Sequence, residues 1–289
     1  MLSIPYDASR KSLYHPGDAD DFFQLGPIQN DAALCAEMSR LAYVKEESRL
    51  VQYLDRAGFQ LDQAIGYDRG GTQVFIASKR DDNRTVVSFR GTEPEDPSDL
   101  FTDANFVLIP WADHSGRSSG QVHEGFAMAL QNDDILGKVI TCLNSMVSST
   151  RFLLTGHSLG AALATLTASW VPSSHLYTFG SSRVGDAAFA DAMRTVSHIR
   201  FVDCCDLVTR VPSEEFGYVH VGSLKYMDRN GHLLEAPGED AINADRLKAA
   251  AWYLVRHSFM PGTVFSRDLA DHAPINYVSG VMGLRARMD

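Results

Sequence analysis

The sequence predicts an α/β fold, and three observations predict it. Short apolar runs that read as strands alternate with segments of helical period. A glycine-rich turn, Gly156-His157-Ser158-Leu159-Gly160, joins one such run to a helix of small residues. The composition, 45% hydrophobic and 21% charged over 289 residues, belongs to an ordinary globular chain and excludes collagen-like, coiled-coil and wholly disordered classes. Length alone would allow two domains, but nothing between Met1 and Asp289 resembles a boundary, so residues 1–289 read as one domain. A chain of this size can bury a large core without disulfide or metal staples.

Residues 1–27 are polar and rich in Asp, Pro and Gly and read as an N-terminal arm or surface coil. From Ile28 to Val44, Ala33, Leu34, Met38, Leu41 and Ala42 recur at helical spacing. Gln73–Ser78 and Thr85–Phe89 read as strands; Gly70-Gly71 precedes the first, and Asp81-Asp82-Asn83 turns between them. Residues 93–120 read as irregular. They are acidic and proline-bearing from Glu93 to Asp99, and apolar at Leu100-Phe101 and from Phe106 to Trp111. Residues 124–147 return to helical period. Phe152–Thr155, Leu176–Phe179 and Ile199–Val202 read as strands, with a helix from Leu159 to Trp170. A hairpin of Tyr218–Leu224 with Tyr226–Leu234, turned at Asn230-Gly231, follows.

The net charge of −10 argues against nucleic acid or an anionic membrane as a partner and favours neutral substrates. The four cysteines, Cys35, Cys142, Cys204 and Cys205, form no CxxC and read as small core residues in a reducing compartment; no metal site is expected. The N-terminus shows neither basic nor apolar leader regions, and no stretch reaches membrane-spanning length. The expectation is a cytoplasmic protein, or one exported without a cleaved N-terminal signal.

G-x-S-x-G occurs twice, so context must decide between the copies. Gly116-Arg117-Ser118-Ser119-Gly120 lies in a polar stretch and reads as a loop. Gly156–Gly160 sits where a nucleophile needs to be, on a sharp turn from a buried strand into a helix. There the helix N-terminus offers free N–H groups to a developing oxyanion. A serine hydroxyl is a poor nucleophile at neutral pH, so it needs a base, and the base needs a carboxylate to orient it. In this architecture the chain order is serine, acid, histidine. His220 reads as a packed strand histidine, His232 as exposed and His257 as a helix-face residue. His272 lies in a loop before the apolar segment Ile275–Met282 and is the candidate base. Asp206, beyond the end of the Ile199–Val202 strand, is the candidate acid, with Asp203 as its competitor. Oxyanion donors would be the backbone N–H of Leu159 and Thr92 in Arg90-Gly91-Thr92.

These stretches, with Val86–Thr92, Val122-His123-Glu124-Gly125-Phe126, Tyr177-Thr178-Phe179-Gly180, Arg183-Val184-Gly185, Val211-Pro212 and His220-Val221-Gly222, resemble the lipase class 3 family of fungal-type triacylglycerol lipases. The resemblance implies an α/β-hydrolase fold, with a mostly parallel central sheet flanked by helices and a lid segment within residues 93–120. It implies Ser158 as nucleophile, Asp206 as acid, His272 as base, and Thr92 and Leu159 as oxyanion donors. No cofactor is called for. The substrate would be an acyl ester or lipid met in transient contact with a lipid–water interface. His123 and His157 match family positions read as packing residues, and Arg183 one that anchors a loop. Thr209-Arg210 depart from the family pattern beside Asp206, which keeps Asp203 in contention. The segment from Leu234 to Asp271 is a further candidate cover, with Trp252, Tyr253, Leu254 and Phe259 as apolar wall residues. Phospholipid or galactolipid acyl hydrolysis would use the same machinery. A catalytically silent scaffold is disfavoured because all three triad candidates are present.

Overall fold

Val86 and Val87 are neighbours in sequence yet face different cores, and so do Leu153 and Leu154. Side chains of a strand alternate between the two faces of its sheet, so a strand apolar at every position must be covered on both. The computed structural model describes residues 3–28, 30–67, 71–91, 106–147 and 149–286. Its helices before the first strand are α1 (Arg10–Tyr14), α2 (Asp31–Leu41) and α3 (Glu47–Arg56). Strands β1 (Gln60–Ile65), β2 (Val74–Lys79), β3 (Arg84–Phe89), β4 (Leu108–Ala112) and β5 (Ser118–His123) follow. Next come α4 (Glu124–Gln131), α5 (Ile135–Asn144), β6 (Arg151–His157), α6 (Leu159–Ala168), β7 (His175–Phe179), α7 (Ala187–Ala192) and β8 (Ser197–Asp203). The described chain closes with β9 (Ser223–Met227), β10 (Leu233–Glu235), α8 (Glu239–Arg256), α9 (Arg267–Ala270) and α10 (Pro274–Val281).

The main sheet has the order β1-β2-β3-β6-β7-β8-β9-β10. Its centre, β3 through β9, is parallel; β1, β2 and β10 add antiparallel edges. Helices α4, α5 and α6 cover one face, where Val87, Leu154 and Leu176 meet Leu130, Val139 and Leu166. Helices α2, α3 and α10 cover the other, where Phe75, Leu153 and Phe201 meet Leu34, Leu54 and Val278. The chain thus has the α/β-hydrolase architecture. No helix among the described residues is long and apolar enough to cross a membrane.

The small residues of α6 have a mechanical reason. A Cβ added at Gly160 would stand 2.1 Å from the carbonyl oxygen of Phe89, and one at Gly156 would stand 2.3 Å from the Gly160 backbone. Helix and strands therefore touch through backbone, a separation only glycine allows.

Several boundaries differ from the sequence reading. Residues 3–27 are not a surface coil: α1 forms there, and Phe22 and Phe23 are buried in the α2-side core. The helical period of 124–147 is broken at Asp133 and Asp134, both with positive φ, so α4 and α5 are separate. Of the candidate lid, 93–105 and Thr92 lie outside the described residues. Within the rest, β4 and β5 pair as a hairpin rather than running irregularly. The first G-x-S-x-G is therefore not a plain loop: Ser118, Ser119 and Gly120 open β5. The Asn230-Gly231 turn lies between strands, as expected, but the first of them is Ser223–Met227, through Lys225, rather than Tyr218–Leu224. Gly222 at φ +79 breaks that run, and β9 starts after it to pair parallel with β8.

Candidate active site

The turn from β6 into α6 puts Ser158 at φ 59 and ψ −127, a conformation an L-residue adopts at a cost of about 1–3 kcal/mol. The turn is held on all sides. The Ser158 N–H donates to the Phe179 carbonyl at 3.0 Å, and its own carbonyl accepts from Ala161 N at 3.0 Å. Gly91 passes so close that an added Cβ would lie 2.6 Å from the His157 oxygen and 3.2 Å from the Ser158 Cβ. Ser158 stands at the N-cap of α6, and the Leu159 N–H belongs to the first turn of that helix. First-turn N–H groups have no intrahelical partner and carry the positive end of the helix dipole.

His272 comes from the short link between α9 and α10, whose first residue is Pro274. Its Nε2 lies 2.9 Å from Ser158 Oγ, and its Nδ1 lies 3.0 Å from each carboxylate oxygen of Asp206. Asp206 sits three residues past the end of β8. It accepts from the Val208 N–H at 2.9 Å on Oδ1 and from the Tyr277 hydroxyl at 2.6 Å on Oδ2. Burial, then the Asp206 charge, holds the Tyr277 phenol well above its ordinary range, so it stays a donor. Of the five site residues named from sequence, the structure brings Ser158, His272 and Asp206 into one hydrogen-bonded chain. It sets Leu159 beside the serine, and Thr92 is not among the described residues. Ser158, Asp206 and His272 are at most 3% exposed.

Asp203 has another partner. Its carboxylate forms a buried ion pair with both terminal nitrogens of the Arg285 guanidinium, whose Nη1 lies 3.0 Å away. Asp203 and Asp206 therefore occupy different networks joined by one ring: the Tyr277 hydroxyl accepts from the Asp203 N–H at 3.0 Å while donating to Asp206. Sequence reasoning passed over Tyr277, which looked like one more ring in an apolar segment.

Two further ties hold the loops that carry Asp206 and His272. Asp271 accepts from Cys205 N at 2.9 Å and from the Tyr6 hydroxyl at 2.7 Å, and it pairs with Arg267. His157 links Tyr43 to the His272 loop: its Nε2 is 2.8 Å from the His272 carbonyl and its Nδ1 is 2.8 Å from the Tyr43 hydroxyl. A carbonyl only accepts, so Nε2 carries the proton and Nδ1 accepts from Tyr43. Burial, then His272, pushes the His157 imidazole well below its ordinary value and keeps it neutral.

The other sequence candidates fall elsewhere. His220 is off any strand, with Nε2 2.9 Å from the Thr209 carbonyl; His232 is exposed beside Asp228; His257 caps α8. His123 caps α4 through a 3.0 Å bond from Gly125 N and stacks on Phe126. Arg183 donates to the Arg210 and Pro212 carbonyls and pairs with Glu214. Cys204 and Cys205 are buried and free.

Three histidines, His157 and His198 buried and His220 half-buried, give a pH dependence. Burial pushes His198 down to about 3, and His157 and His220 well below the usual value. An unfolded histidine titrates near 6.5. Above that pH both states are neutral and the contribution to stability is complete. Below it the unfolded chain binds protons that the folded chain refuses, so stability falls by up to about 1.4 kcal/mol per pH unit for each group. Between pH 6.5 and 5, urea midpoints should fall more steeply in wild type than in His198→Asn, by the contribution of this one imidazole. Equal slopes for wild type and His198→Asn over that interval would contradict the neutral burial of His198.

Residues 86–216 match the family model for lipase (class 3). The chain is 25% identical to a protein named triacylglycerol lipase OBL1 from Ricinus communis, over 86% of this chain and 64% of that protein. It is 33% identical to a secreted mono- and diacylglycerol lipase A from Penicillium cyclopium, over 52% of this chain and 50% of that protein. The chain thus spans less than two thirds of the curated relatives it matches. The crystal structure of a lipase from Rhizopus microsporus var. chinensis superposes with a TM-score of 0.56 at 24% identity, over 78% of this chain and 82% of that one. This likeness shows the fold.

Proposed function

We propose that this chain, whose residues 86–216 match the family model for lipase (class 3), acts as one domain and is a serine hydrolase that cleaves the carboxylic esters of lipids. The observation that carries the reading is the hydrogen-bonded run from Ser158 through His272 to Asp206, built on a strained turn at a helix N-terminus. In this reading His272 Nε2 takes the hydroxyl proton as Ser158 Oγ adds to the ester carbonyl. Asp206, fixed by Val208 N and Tyr277, keeps the proton of His272 on Nδ1 and stabilises the imidazolium. The Leu159 N–H and Thr92 would hold the oxyanion. Collapse of the tetrahedral adduct breaks the ester C–O bond, and the alcohol departs with the proton from His272. Water, deprotonated by the same imidazole, then adds to the acyl-enzyme; its collapse releases the acid and returns the proton to Ser158 Oγ.

Neutral acylglycerols, the substrates in the names of the relatives, suit a chain of net charge −10. With Ser158 only 2% exposed, an acyl chain reaches the hydroxyl after the site opens. That fits a transient meeting with a lipid–water interface.

A fluorophosphonate probe followed by peptide mass analysis tests the nucleophile, and a p-nitrophenyl ester series tests the substrate class. Labelling should fall on Ser158 alone, and each labelled molecule should be one that no longer hydrolyses ester. A folded protein that hydrolyses no ester and takes no label, or one labelled at Ser118 instead, sinks the reading.

A further inference from the structure

Strand β8 presents His198, Arg200 and Val202 on one face and Phe201 and Asp203 on the other. Arg200 is 8% exposed, and among the described residues its guanidinium makes neither an ion pair nor a hydrogen bond; its Nε is enclosed without a partner. Placing a cation out of water without a counter-charge is costly, and proteins almost always supply one. Burial, then the nearby Arg183, pulls this guanidinium down to about 10, which still leaves it charged at neutral pH.

Arg200 lines a cleft of about 360 Å³. Leu224 and Tyr226 of β9, the register neighbours of Arg200 and Val202, continue its floor. Arg183, Arg210 and Arg246 stand around the same space. Glu214 and Glu239 are the acids lining it, and Glu214 is already held by Arg183. A protein of net charge −10 has therefore gathered four guanidiniums against two carboxylates in one concavity. Pro237 and Glu239 bring the first turn of the 18-residue helix α8 to its rim, and that helix end favours an anion. His220 also lines the cleft. Its Nε2 proton goes to the Thr209 carbonyl, which leaves Nδ1 as an enclosed acceptor without a partner. Ser158, Leu159 and His272 do not line this cleft.

We propose that this cleft binds a phosphate group, seated on Arg200 and ringed by Arg183, Arg210 and Arg246. Guanidinium forks match phosphate oxygens in pairs. A singly protonated phosphate also carries the O–H that the bare Nδ1 of His220 lacks, which a carboxylate does not. Val202, Leu224 and Ile242 give the cleft an apolar wall, so the phosphate can arrive free or as the headgroup of a lipid.

Calorimetric titration of the full chain at low salt tests this with inorganic phosphate, octyl phosphate, octanoate and octyltrimethylammonium. At least one phosphate probe should bind saturably at one site. Arg200→Met should weaken it about tenfold or more, and the exposed Arg210→Gln severalfold. Equal affinity for both phosphates names free phosphate as the ligand; tighter octyl phosphate names a lipid headgroup. Without ligand, Arg200→Met should melt at or above the wild-type temperature, because an enclosed unpartnered charge has gone. Phosphate should raise the melting temperature of wild type but not of this variant. Should Arg200→Met fail to fold, Arg210→Gln still reports. No saturable phosphate binding, octanoate or octyltrimethylammonium binding as tightly, or affinities untouched by the substitutions would each overturn the proposal.

Discussion

Ser158→Ala should lower kcat for a soluble p-nitrophenyl ester by about 10⁵- to 10⁶-fold while the protein melts as wild type does. The side chain removed is small, and its hydroxyl is bonded to His272 rather than to the scaffold. The strained turn is held by backbone bonds at Ser158 N and O, which alanine keeps. Without Oγ there is no acyl-enzyme, and the imidazole has only water to activate. What survives is the oxyanion donation from the helix end, which accounts for the small remainder expected above the uncatalysed rate. Steady-state rates on freshly purified variant decide the matter. Turnover above about one thousandth of wild type would mean that another group attacks the ester.

The second large effect is a contrast between two neighbouring acids. Asp206→Asn should cost about 10⁴ in kcat with little loss of stability. Asp206 accepts from His272, Val208 N and Tyr277 at once. An amide offers a single acceptor oxygen, so its NH₂ must face a donor, and the imidazole loses the tautomer that leaves Nε2 free to accept. Asp203→Asn should instead cost about 3–5 kcal/mol of folding free energy, because it leaves Arg285 enclosed with its charge uncompensated. Urea denaturation and ester kinetics on the two variants separate them. If Asp203→Asn were the one to lose turnover, the acid would have to be reassigned.

The same two residues show how far the sequence could be read. The glycine spacing around Ser158 and the small-residue helix after it are local, and so is the strained turn they make. His272 stood out because the other histidines after the nucleophile sat in strand, turn or helix patterns. The choice between Asp203 and Asp206 was not local. It depends on Arg285, which comes 82 residues after Asp203 in the chain yet ends against its carboxylate. Tyr277 was illegible for a similar reason, since only the fold shows which of its neighbours are acids. Strand β1 escaped notice because it is an edge strand, mostly half-exposed, with Gln60, Asp62 and Gln63 among its six residues. The break between α4 and α5 was missed because Asn132, Asp133 and Asp134 do not disturb the apolar period on either side. Arg200 gave no signal, because an arginine in an apolar strand reads as a departure until its missing partner is seen.

The first residues of the described chain brace the loop that carries His272. Ile4 pairs with the backbone at Leu284 and Ala286, Asp7 exchanges hydrogen bonds with Asn276, and Tyr6 holds Asp271 beside His272. Clipping the first eight residues, a routine step in tailoring a protein for crystals, would therefore remove the rear support of the imidazole. On the proposed function, the shortened chain would hydrolyse esters slowly for want of alignment, with Ser158, Asp206 and His272 all still in its sequence.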